Sequence, residues 1–159
     1  MKNKKIITID GPSASGKGLL ARELAKELDF ILLDSGLLYR AYSYCFDKEK
    51  NHDSAMHFFS QLSIEGVTGA MEVFEGNQNI TPALRHENIA LSASKLSSLK
   101  ETRQNLIAFQ RGLANDYGLI ADGRDMGTVV FPDAATKIFL IADIEVRAER
   151  RFLELQNAG

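Results

Sequence analysis

Lys5-Ile6-Ile7-Thr8-Ile9-Asp10-Gly11-Pro12-Ser13-Ala14-Ser15-Gly16-Lys17-Gly18-Leu19 decides how the chain is read. Ile6, Ile7 and Ile9 form a short β-branched apolar run, which predicts a buried strand ending at Asp10. Gly11 to Lys17 then runs glycine, four residues, glycine, lysine. That spacing suits phosphate. The glycines let successive backbone N–H groups turn inward around an anion, and the lysine ammonium reaches the outer phosphates. Leu19, Leu20, Leu24 and Leu28 continue at helical spacing, so the loop opens onto a helix N-terminus, where the dipole favours anions. Strand, loop and helix in this order separate a nucleotide-phosphate loop from an ordinary glycine turn. Gly18 stands where a Ser or Thr hydroxyl usually meets magnesium, which leaves Ser13 and Ser15 as the hydroxyls of the loop.

Composition sets the bounds. A chain of 159 residues is long enough for one domain with a sizeable core. Hydrophobic residues at 45% and charged ones at 25% are ordinary for a globular protein. A net charge of -2 gives no global field toward nucleic acid, so no nucleic-acid partner is expected, yet a local phosphate pocket needs only a few arginines. Cys45 is the single cysteine, so no intramolecular disulfide can form, and a small buried hydrophobe is the expected role. The apolar run after Lys2, Lys4 and Lys5 is too short for a signal peptide, and no stretch could span a membrane. A cytoplasmic monomer is expected.

Further along, Ile31-Leu32-Leu33 is a second short apolar run ending at Asp34-Ser35-Gly36, and strand, helix, strand predicts a parallel βαβ unit. Tyr39 to Phe46 reads as a helix, and 47–61 as another; His52 and His57 lack partners at ligand spacing and are expected to be packed or solvated. Residues 63–81, with Gly66, Gly69 and Gly76 between alternating pieces such as Met71 to Glu75, predict a small antiparallel insert. Residues 77–82 read as a turn and 84–97 as a helix. The next helix carries Leu99, Leu106, Leu113 and Tyr117 on one stripe, with Arg103 among them. A core-facing arginine is costly unless paired, so Arg103 either snorkels to solvent or meets a polar ligand. Gly118 to Ala121 and Lys137 to Ile141 predict two more strands. Glu145 to Gln156 reads as an amphipathic helix with Val146, Phe152 and Leu155 inward; of Arg147, Arg150 and Arg151, at least one is expected on a solvated face.

In an open parallel sheet, ligands bind beyond the carboxyl ends of the strands. Three strands end in Asp10 with the phosphate loop, in Asp34-Ser35-Gly36, and in Asp122-Gly123-Arg124-Asp125. One crevice is therefore expected to hold Lys17, Arg40, Arg124 and Arg103 with Asp34, Asp122 and Asp125. The cations suit two phosphate-bearing ligands; the carboxylates suit magnesium-bound waters or ribose hydroxyls.

Three stretches carry a family resemblance: Ile7-Thr8-Ile9-Asp10-Gly11-Pro12-Ser13, Leu33-Asp34-Ser35-Gly36 with Tyr39-Arg40, and Leu119 to Ala134. In these the chain closely resembles the bacterial cytidylate kinases among the nucleoside monophosphate kinases, from residue 6 to the end and most weakly between 47 and 82. The resemblance implies an α/β fold, with a P-loop kinase-type parallel sheet flanked by helices and the small antiparallel insert in an acceptor-binding region. It implies transfer of the γ-phosphoryl group of ATP to CMP or dCMP, with Mg2+ accompanying ATP. Gly11, Pro12, Ser13, Ala14, Ser15, Gly16, Lys17, Gly18 and Leu19 match the ATP loop, although the family usually has Thr where Leu19 stands. Ser35, Tyr39, Arg40 and Arg124 match positions around the acceptor nucleotide, the two arginines on its phosphate. Ser94, Arg103 and Asp125 match positions around cytosine and its sugar. Lys17, Arg40 and Arg124 are the expected catalytic residues, with Asp122 on magnesium through water. The family continues past the helix near Gly159 with an arginine-rich lid, a further strand and a final helix. Without those, lower turnover and an exposed edge at Lys137 to Ile141 are expected.

Overall fold

A computed structural model describes residues 3–114 and 116–158. Its centre is a four-stranded parallel sheet built from β1 (Asn3–Asp10), β2 (Ile31–Asp34), β6 (Leu119–Gly123) and β7 (Ala134–Phe139), in the order β2-β6-β1-β7. Between β2 and β6, three short strands, β3 (Ser63–Val67), β4 (Ala70–Glu75) and β5 (Gln78–Asn79), form a separate antiparallel sheet. Gln78 and Asn79 thus pair with β4 where a turn alone is expected from the sequence.

Alternation along the strands sorts the core into two layers. Ile6, Leu33, Leu119 and Ala121 face one side, where α2 (Ser35–Glu49) packs through Leu37, Leu38, Ala41 and Tyr42. Ile9, Leu32 and Ile120 face the other, against Ala21 and Ala25 of α1 (Lys17–Leu28). The two alanines let α1 lie close to the sheet, which brings its N-terminus up to the strand ends. α3 (His52–Phe59), α4 (Thr81–Leu84), α5 (Glu87–Ser97) and α6 (Lys100–Gly112) complete the first layer, and α7 (Ile144–Ala158) follows β7. Cys45 is fully buried in α2, and burial pushes its thiol up to about 12, so it is an inert core side chain.

Several expectations need correction. α2 begins at Ser35, not Tyr39, because Asp34 caps it: its Oδ1 accepts the Leu37 N–H at 3.0 Å. The helix expected over 84–97 starts only at Glu87, because α4 ends at Leu84 and Arg85 and His86 stand between the two. α6 turns a different face inward. Thr102, Leu106 and Gln110 are buried, whereas Leu99 is 44% and Tyr117 80% exposed. Val146, Phe152 and Leu155 of α7 are exposed, not inward.

Candidate active site

The parallel register brings three strand ends to one edge. Asp10 lies beside Gly123, and Asp34 beside Asp122. The loop from Gly11 leaves β1 in tight quarters: a Cβ on Gly11 would come 2.2 Å from the Leu140 carbonyl oxygen, so only glycine fits. Gly16 takes φ 93°, a left-handed conformation that glycine adopts without cost, and α1 starts at the next residue.

Lys17 sits 3.5 Å from Asp122 Oδ1, with both side chains largely buried. Apart from that ion pair, Oδ1 has no hydrogen-bond partner, and neither does the buried Ser15 hydroxyl inside the loop. Burial raises the Asp122 pKa to about 6, against the pull of Lys17. A buried carboxylate oxygen and a hydroxyl, both unsatisfied beside a lysine at a helix N-terminus, fit a hydrated divalent cation riding on phosphates. Such a cation needs only one or two protein carboxylates. Among the described residues no group of three metal-ligating side chains forms a cage of its own.

Asp10 does work that the sequence reading missed. Its two oxygens accept the N–H groups of Met126 and Gly127, each at 2.8 Å. These open a wide turn, Met126–Val130, in which Phe131 N–H reaches Met126 O at 2.7 Å. One buried carboxylate therefore fixes the loop carrying Arg124 and Asp125 to the strand that launches the phosphate loop. Arg124 in turn donates from Nη2 to Ser13 Oγ at 2.7 Å. Only burial of an aspartate at a strand end could have signalled this role.

The second side of the crevice comes from α2 and α6. Ser35 is buried, its hydroxyl set against Gly123, where a Cβ would come within 2.6 Å. Arg40 donates to Leu84 O at 3.4 Å. Burial and the nearby Arg85 both push its guanidinium below its ordinary value, with Asp34 opposing them. Its charged neighbours are of both signs, Arg85 and Arg151 on one side of the balance and Asp34 and Glu87 on the other. Arg103 pairs with Asp125, which raises its pKa. Tyr39 stands against the same pair: burial and the Asp125 charge raise its phenol. The rotated face of α6 explains this placement, since turning Thr102, Leu106 and Gln110 inward leaves Arg103 at the crevice rim. Ser94 is not brought in. It is exposed on α5, and among the described residues no contact joins its side chain to Arg103 or Asp125. Leu19 is 60% exposed on the first turn of α1.

α7 reaches the loop from the far side. Arg147 Nε donates to Ser13 O at 2.8 Å, Arg150 Nη1 to Ala14 O at 3.3 Å, and Arg151 Nη2 to Glu87 Oε2 of α5 at 2.5 Å. Arg150 is exposed, as expected of at least one of the three, whereas Arg147 and Arg151 are half-buried. Spacing does not show the bonds of Arg147 and Arg150, because their partners are backbone carbonyls over a hundred residues away. A cavity of about 490 Å³ opens here, lined by Pro12, Ser13, Arg124, Phe139, Ile141 and Arg147.

A family model described as cytidylate kinase matches residues 7–159. The chain belongs to the cytidylate kinase family. It is 40% identical over 170 residues to a cytidylate kinase of Pasteurella multocida, covering 100% of this chain and 73% of that protein. It is 44% identical over 163 residues to one of Pseudomonas syringae pv. tomato, covering 97% and 71%. It is also 42% identical over 166 residues to a bifunctional pantoate ligase/cytidylate kinase of Prochlorococcus marinus, of which it spans 32%. The family match takes in the phosphate loop, Arg40, Arg103, the Asp122–Asp125 turn and α7 together. No helix among the described residues is long and apolar enough to cross a membrane.

Proposed function

We propose that this chain transfers the γ-phosphoryl group of ATP to CMP or dCMP, giving CDP or dCDP. The observation that carries the reading is the contact of Arg124 with Ser13. It joins the phosphate loop to the acceptor side of one crevice, at 2.7 Å. Family membership across residues 7–159 supports the same reaction.

Phosphoryl transfer asks for alignment and charge neutralisation, not a covalent nucleophile. The loop Gly11–Leu19, through its N–H groups from Ser13 onward, and the Lys17 ammonium hold the donor phosphates; Pro12 has no N–H and that of Gly11 is taken by Gly123 O. Arg40 and Arg124 hold the acceptor phosphate in line. Ser35 and Tyr39 border that phosphate, and Arg103, Asp125 and Ser94 serve cytosine and its sugar; Ser94 has to approach from the outer face of α5. No general base is needed, because the attacking phosphate oxygen is already anionic. Mg2+, held through water by Asp122 beside the Ser15 hydroxyl, would neutralise charge on the donor phosphates. Every group assigned here comes from one chain, which suits a monomer in the cytoplasm.

A coupled assay with ATP and a panel of CMP, dCMP, UMP and AMP tests the reading, with products identified by phosphorus NMR. CDP and dCDP are expected, at rates at least about tenfold above the other acceptors. Binding of both nucleotides without product would make the chain a nucleotide-binding module. Faster phosphorylation of another acceptor would reassign the substrate.

A further inference from the structure

A loop that turns its N–H groups toward an anion turns its carbonyls away from it, and those carbonyls need partners of their own. Here α7 supplies two. Arg147 holds Ser13 O and Arg150 holds Ala14 O, the first across 134 residues of chain. At this point Ala14 adopts φ 58°, one of three positive-φ residues other than glycine in the described chain. The left-handed conformation is costly for a residue with a Cβ, and it persists where its surroundings over-determine it. Charge-assisted bonds to the carbonyls of the strained residue and the one before it are such surroundings.

We propose that Arg147 and Arg150 are positioning residues that hold Ser13 and Ala14 in the strained, anion-ready shape of the loop, so that α7 sets part of the affinity for ATP. This rests on reading Gly11–Leu19 as a nucleotide-phosphate loop. The arginines act through the loop backbone, from its outer side, and their effect exists before any nucleotide arrives.

Three measurements on the whole chain test it. In the nucleotide-free protein, Arg147→Met and Arg150→Met should each speed hydrogen exchange of the backbone amides of Ser13 to Lys17, read by NMR. In calorimetry, Arg147→Met should weaken ATP about tenfold and leave CMP unchanged. In an Ala14→Gly background, where the left-handed conformation carries no penalty, the same substitution should cost only about twofold. Unchanged loop exchange in the nucleotide-free variants would overturn the proposal. So would equal ATP losses in the two backgrounds, since an arginine that touches the nucleotide directly is indifferent to Ala14. If the parent chain binds no ATP, the phosphate-loop reading fails, while the exchange experiment still judges the bracing contacts.

Discussion

Asp122 illustrates how a single side chain ties the site to stability. Its carboxyl titrates near 6 in the folded chain against an ordinary 3.8, chiefly because it is buried. The folded state then holds a proton that the unfolded state has already lost, so this group makes stability fall as pH rises from about 4 to about 6, and not beyond. The expected loss is on the order of 3 kcal/mol. Thermal melts of the nucleotide-free protein and of Asp122→Asn should diverge across that window, the Asn variant lacking the decline; parallel curves would contradict the burial argument. For Lys17, the ammonium faces the donor loop, so Lys17→Ala should weaken ATP more than CMP in calorimetry, and unchanged ATP affinity would remove it from the donor side. Arg40→Ala and Arg124→Ala should each weaken CMP by about 10- to 100-fold with little effect on cytidine; equal losses for nucleotide and nucleoside would take both off the phosphate. Lys17, Arg124 and Asp122 were legible in the sequence because each belongs to a local motif. Asp10, Arg147 and Arg150 were not, because what they hold is backbone far away in the chain.

Helix α6 shows where periodicity misleads. Leu99, Leu106 and Leu113 suggest one face, yet Thr102 and Gln110 are buried on either side of Leu106. The extra rotation costs buried polar atoms: Thr102 Oγ1 and Gln110 Oε1 have no hydrogen-bond partner. What it gains is Arg103 at the rim, paired with Asp125. A hydrophobicity pattern cannot register that exchange, because the pairing partner lies on a loop after β6. Cytosine presents acceptors at O2 and N3, which a guanidinium can meet. Arg103→Met should therefore reduce the preference for CMP over UMP in the acceptor panel, and a variant that keeps the parent's discrimination would place Arg103 outside the base site.

Across the whole molecule, the sequence showed the α/β class, the βαβ start and the small insert, since these follow from local pattern. It did not show the strand order, which depends on which distant strands meet. Among the described residues, that order leaves β7 at an edge, paired only with β1. Phe139 and Ile141 are 68% and 73% exposed, and Ile144 and Phe152 of α7 are exposed as well. An apolar edge of this kind invites pairing with other chains. Phe139→Lys with Ile141→Lys should lower concentration-dependent light scattering while leaving the circular dichroism spectrum unchanged; undiminished scattering would place the sticky surface elsewhere. The same strand order bears on how the chain is made. β1 is complete once the first ten residues exist, but both of its neighbours, β6 and β7, come from the last third of the chain. The Met126 amide that satisfies Asp10 arrives 116 residues later. On a ribosome adding about 5–20 residues per second, β1 would wait on the order of ten seconds with two bare edges. The helical and hairpin segments between them can form meanwhile, so the helical layer and the small antiparallel sheet would form first and the phosphate loop would be braced only once β6 and β7 have followed.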